Sequence, residues 1–148
     1  MKNLKVLLLV AILGVASAVQ ARPNNSDYNT VINAFIESKL HTDYKTMKTI
    51  LSPEAVEKLP REKAVYKATA SDLLRTMKVN NGIEQSCTAE HKVLAESDGM
   101  IMVQIDFNYD QHTISEFITL ERNKGLEWKV TSINKFFKNV ATADKVNS

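Results

Sequence analysis

The chain has 148 residues, a hydrophobic fraction of 44% and a formal charge of +2 from 19 basic and 17 acidic residues. That length fits one domain, and that apolar content excludes a wholly disordered chain. Charge this close to balance excludes the broad basic surface that binds nucleic acid or anionic lipid.

Lys2 and Lys5 form a positive start, and residues 6–15 are an unbroken apolar run with one glycine. Small residues then offer cuts after Ala18 or Ala21. This pattern predicts a secretory signal peptide over residues 1–21, and a protein that is periplasmic or secreted with no membrane span, since the run is too short to cross a bilayer. Both lysines leave with that segment, so the remainder balances 17 basic against 17 acidic residues. Cys87 is the one cysteine, so no internal disulfide forms and core packing alone holds the fold. It reads as a small buried hydrophobe, with an intermolecular bridge or a reactive thiol as alternatives. Its neighbours Ser86 and Thr88 supply no base to make a thiolate.

The single domain is expected over residues 22–138. After a polar lead, Ser26 or Asp27 caps a helix. Tyr28, Val31, Ile32, Phe35, Ile36 and Leu40 fall on one helical stripe, leaving Asn29, Asn33, Glu37 and Lys39 mostly outside it. His41-Thr42-Asp43 interrupts the stripe and offers a second cap, after which Tyr44, Met47, Ile50 and Leu51 continue an apolar face. Ser52-Pro53-Glu54 reads as a further helix start, with Pro53 in the first turn and Pro60 ending the piece. Two or three helices are therefore expected between Asp27 and Leu59. Residues 63–70 suit a short edge strand, with a helix as competitor. Ser71-Asp72 caps a short helix carrying Leu73, Leu74 and Met77, and Asn80-Asn81-Gly82 ends it.

From Ile83 the period changes to two. One strand face carries Cys87, Ala89, His91, Val93 and Ala95. The next carries Ile101, Val103, Ile105, Phe107 and Tyr109, with Gln104, Asp106 and Asn108 on its reverse. Turns at residues 96–99, 110–112 and 123–125 separate these from two further strands, 113–121 and 127–137. Residues 139–148 are polar and aperiodic, and read as a flexible tail. Helices followed by consecutive strands predict an α+β fold: N-terminal helices on an antiparallel sheet of about four long strands plus a short edge strand. The last strands are apolar on both faces (Phe117 against Ile118, Phe136 against Phe137), which predicts a homodimer through the sheet.

The ending Phe117-Ile118-Thr119-Leu120, then Gly125-Leu126-Glu127-Trp128-Lys129-Val130 and Ile133-Asn134-Lys135, resembles the nuclear transport factor 2-like (cystatin-like α+β) superfamily. Its nearest branch is the exported bacterial one named for lumazine binding. The resemblance covers roughly residues 27–138 and implies a curved, cone-like sheet closed by a helix. It also implies a pocket for a small apolar or aromatic ligand. Relatives such as ketosteroid isomerase use carboxylates, tyrosines or histidines inside that cone.

Other chemistry has little support. His41, His91 and His112 are not spaced as metal ligands, and no HExxH, Cys/His cluster, phosphate-cradling glycine run or nucleophile elbow occurs. No metal or cofactor is expected. Glu116, Asp106 and His91 are the candidates for acid–base work, because a carboxyl desolvated in an apolar cavity can move protons near neutrality. Each has a plainer reading. Asp106 shares its face with Gln104 and Asn108 and suits a polar outer surface. Glu116 can pair with a lysine of the neighbouring strand, such as Lys129. His91 reads as an ordinary strand histidine. The sequence therefore favours an exported, non-catalytic binding or interaction module, with Phe35, Tyr66, Tyr109, Glu116 and Trp128 as ligand-binding residues. The alternative is a cofactor-free isomerase- or dehydratase-like enzyme using a buried carboxylate and tyrosine.

Overall fold

The computed structural model describes residues 24–139. The signal peptide expected over residues 1–21 and all but the first residue of the expected tail lie outside them. Helix α1 (Tyr28–Leu40) starts at Asp27, whose carboxylate accepts from the Asn29 N–H at 3.1 Å. Its stripe is buried as the spacing implies, through Val31, Ile32, Phe35 and Ile36. Helix α2 (Tyr44–Ile50) is capped by Asp43, which accepts from the N–H groups of Lys45 and Thr46.

The segment expected to start a third helix is a strand instead. β1 (Leu51–Arg61) pairs in parallel with β6 (Trp128–Asn139) and antiparallel with β2 (Ala64–Thr69). Its register on β6 jumps between Leu51 and Val56, so Pro53 sits in an irregularity where its missing N–H breaks no ladder bond. Tertiary pairing outweighs the helical reading of Ala55–Leu59, because β6 would otherwise expose an unpaired edge. The short edge strand expected near residues 63–70 is β2. Helix α3 (Ala70–Val79) begins two residues earlier than expected: Thr69 is the cap, in a reciprocal box with Asp72. It ends at Asn80, followed by Gly82 at φ +82°, a conformation open to glycine.

β3 (Thr88–Glu96), β4 (Met100–Asn108), β5 (His112–Arg122) and β6 then run as an antiparallel meander. The sheet has six strands in the order β2-β1-β6-β5-β4-β3. It is mixed, and larger by one long strand than the sequence implied. All three helices join the inner face in one core that includes Ile101, Val103, Ile105, Ile118, Leu120, Val130 and Ile133. Met102, Phe117 and Phe136 are on the reverse face, by the alternation of the pleat. β3 pairs with β4 at the far edge, and its expected small-residue face is mostly exposed because the helices do not extend over it.

Candidate functional site

The register of the meander puts Ile105, Glu116 and Lys135 in one row across β4, β5 and β6, all on the helix side. Glu57 of β1 stands opposite Ile133 on the same side. Lys39, in the last turn of α1, descends onto them. Its Nζ lies 3.2 Å from Glu116 Oε1 and 3.5 Å from Glu57 Oε2, while Lys135 Nζ lies 3.3 Å from Glu57 Oε2 and 3.6 Å from Glu116 Oε1. The four groups form a closed ring of alternating charge. Glu116 is 2% exposed. Burial disfavours the Lys39 ammonium, but the charges of Glu116 and Glu57 outweigh it and raise its pKa above the ordinary lysine value. Burial likewise works against the Glu57 carboxylate, and Lys39 and Lys135 together hold its pKa below the usual range. Glu116 Oε2 is buried with no hydrogen-bond partner. A buried acceptor left in that state costs about 1–3 kcal/mol.

That oxygen belongs to a residue lining a cleft of about 260 Å³ between helices and sheet. Leu73 and Met77 of α3 and Phe107 and Ile114 of the sheet supply its apolar walls, with Thr76 of α3 also in the lining. Tyr109 and Gln85 also line it, and the Tyr109 hydroxyl donates to Gln85 Oε1 at 3.1 Å. Burial, the neighbouring Cys87 and the charge of Glu116 push the Tyr109 hydroxyl up to about 12, so it stays protonated. Its ring stacks on His112 at 4.7 Å. Thr42 donates to the Ile83 carbonyl and fixes the loop from which Gln85 reaches in.

A larger groove of about 620 Å³ lies between α2, α3 and the start of β1, with Lys48, Arg75 and Lys78 in its lining. Size does not decide between them. Arg75 is held by Asp72 at 2.6 Å, Lys78 sits 5.9 Å above the Tyr44 ring, and no lining group of that groove is both buried and unpartnered. Among the described residues no group of His, Cys, Asp and Glu is arranged to hold a metal, and no helix is long and apolar enough to cross a membrane.

No protein-family model and no curated protein matches the sequence. Solved structures do match the fold. A nuclear transport factor 2-like protein of unknown function from Silicibacter pomeroyi aligns over 75% of this chain and 92% of its own, at 12% identity and TM-score 0.63. A cystatin-like fold protein from Burkholderia xenovorans covers 76% and 90%, at 13% identity and TM-score 0.62. A Parabacteroides distasonis protein provisionally described as a ketosteroid isomerase covers 78% and 89%, at 12% identity and TM-score 0.51. The chain has the nuclear transport factor 2-like fold.

Within this nuclear transport factor 2-like fold the residues named from sequence fall in different places. Tyr109 and Glu116 line the same cleft. Phe35 is fully buried beneath Lys39, whose Nζ lies 5.5 Å from its ring centroid. Trp128 is buried against Tyr28 and Arg122 and does not line the cleft. Tyr66 is 61% exposed on the edge strand β2. His91 is exposed on β3. Asp106 is on the reverse face, accepting from Ser115 at 2.5 Å and from Gln104 at 3.0 Å. Burial opposes its charge, but those hydrogen bonds, with Lys138 and Lys92, keep its pKa low.

The lysine partner expected for Glu116 is the wrong one. Lys129 instead donates to the Thr49 carbonyl and lies 3.8 Å from Glu127. A one-residue irregularity between Thr119 and Leu120 shifts the β5–β6 register, so Glu116 faces Lys135 and not Asn134. Sequence reading missed Lys39, Glu57 and Lys135. Lys39 lies at the border of the α1 stripe, four residues after Phe35, and that spacing was its only signal.

Proposed function

We propose that the protein is an exported small-molecule-binding module of the nuclear transport factor 2-like fold, with its ligand held in the cleft between α3 and the sheet. The observation that carries this reading is Glu116: a carboxylate in a cleft wall with one oxygen fixed in an ion ring and the other buried without a partner. Buried polar groups are almost always satisfied, and a ligand donor in the cleft would satisfy this one. Export rests on the charged start and apolar run of residues 2–15. The Trp128-Lys129-Val130 ending supports a place near the branch named for lumazine binding. A cleft of about 260 Å³ lies below the usual range for drug-sized ligands, which favours a compact ligand.

The enzyme reading has one observation of its own, a buried carboxylate and a tyrosine in one cleft. Against it, Glu116 is committed to ion pairs with Lys39 and Lys135. A second copy is proposed on the reverse face, where Phe117 and Phe136 pack edge to face at 5.6 Å and Phe136 and Met102 remain exposed.

Native mass spectrometry of protein purified from a cell that exports it tests the binding reading. A non-covalent small-molecule adduct is expected on the wild type and not on Thr76→Trp, which fills the exposed mouth of the cleft. An adduct of equal intensity on both would overturn the assignment to this cleft.

A further inference from the structure

Resting on the binding reading, Glu116 and Tyr109 indicate what a ligand must bring. All four contacts of the ring run through Glu57 Oε2 and Glu116 Oε1, which leaves Glu116 Oε2 as an unpaired acceptor. The Tyr109 hydroxyl gives its only proton to Gln85, so its oxygen can still accept. Thr42 gives its proton to Ile83. Each ammonium already bridges two carboxylates. An acid group brought to either lysine would also lie beside Glu116 and Glu57, so it meets no net positive charge in this balanced ring.

We infer that the ligand of this cleft presents N–H donors and no acid group: an amine, amidine or amide head reaching Glu116 Oε2, on a small apolar body lying against Phe107, Ile114 and Met77.

Benzamidine, benzamide and benzoate test this, because they share one shape and differ in charge and donors. Each is titrated into the whole exported protein while the NMR signals of Ile114, Met77 and Leu74 are followed; Leu74 reports on the larger groove. Benzamidine and benzamide are expected to shift Ile114 and Met77, with benzoate at least about tenfold weaker, the ratio set by one hydrogen bond to a charged group. Glu116→Gln is expected to weaken benzamidine by about tenfold and benzamide by less. Benzoate binding as tightly as benzamidine would overturn the donor assignment and leave the binding reading intact. If none of the three moves Ile114 or Met77, or only Leu74 responds, the cleft reading itself falls. Should Glu116→Gln fail to fold, the wild-type series still decides the matter.

Discussion

Glu116 shows how much one buried carboxylate can organise. Removing it leaves Lys39 and Lys135 sharing Glu57 alone in a largely buried site, and breaking a buried ion pair in this way costs up to about 3–5 kcal/mol. Glu116→Ala is expected to lower stability by that amount in urea denaturation, while Glu90→Ala, on an exposed side chain, stays within about 0.5 kcal/mol. The ring also sets a pH window. The Glu57 pKa is depressed in the fold, so its contribution is present above the ordinary carboxylate value and is lost as pH falls through the lower folded one. The Lys39 pKa is raised, so its contribution is complete below the ordinary lysine value and is lost as pH rises through the higher folded one. A stability plateau between about pH 5 and 10 is therefore expected from these two groups. Replacing the acidic member by Glu57→Gln should weaken the acid limb of that profile, measured as urea midpoint against pH. Sequence alone could flag Glu116 and Tyr109, whose positions in β-rich runs were plain. It could not join Glu116 to Lys135, since a single extra residue in β6 decides that pairing.

At the scale of elements, local chemistry was readable wherever it decided the outcome. Asp27, Asp43 and the Asn80-Asn81-Gly82 stop were legible because caps and left-handed turns are set by a few adjacent side chains. β1 was not, because Ser52-Pro53-Glu54 has the local chemistry of a helix start, and pairing with β2 and with β6, some eighty residues on, makes it a strand. The capping box of α3 gives a simple check: Thr69→Ala should cost about 0.5–2 kcal/mol in thermal or urea unfolding. His41 links the end of α1 to the segment before β3, with Glu84 at 2.6 Å and Glu37 at 3.1 Å. The hydrogen bond and charge of Glu84 lead in raising its pKa. This link is complete below the ordinary histidine value and weakens as pH rises through the higher folded one. Amide protection in residues 83–87, corrected for intrinsic exchange, should therefore fall as pH rises past neutrality in the wild type. In His41→Ala it should be lower than in the wild type below neutrality and independent of pH.

At the scale of the molecule, the same sheet offers two faces with different tasks. The inner face carries the core, the ion ring and the cleft. The reverse face carries Phe117, Phe136 and Met102 around the hydrogen-bonded group of Gln104, Asp106 and Ser115. If that reverse face pairs with a second copy, sedimentation velocity should report a dimer for the wild type and a monomer for Phe136→Glu. A monomeric wild type at high concentration would remove the dimer. The central claim concerns the inner face, and titrating small-molecule extract of the source cells into protein with labelled methyl groups tests it most directly. Shifts confined to Ile114, Leu73 and Met77, and absent in Thr76→Trp, are the expected result. Shifts confined to the larger groove around Leu74, or no shifts at any methyl, would contradict it.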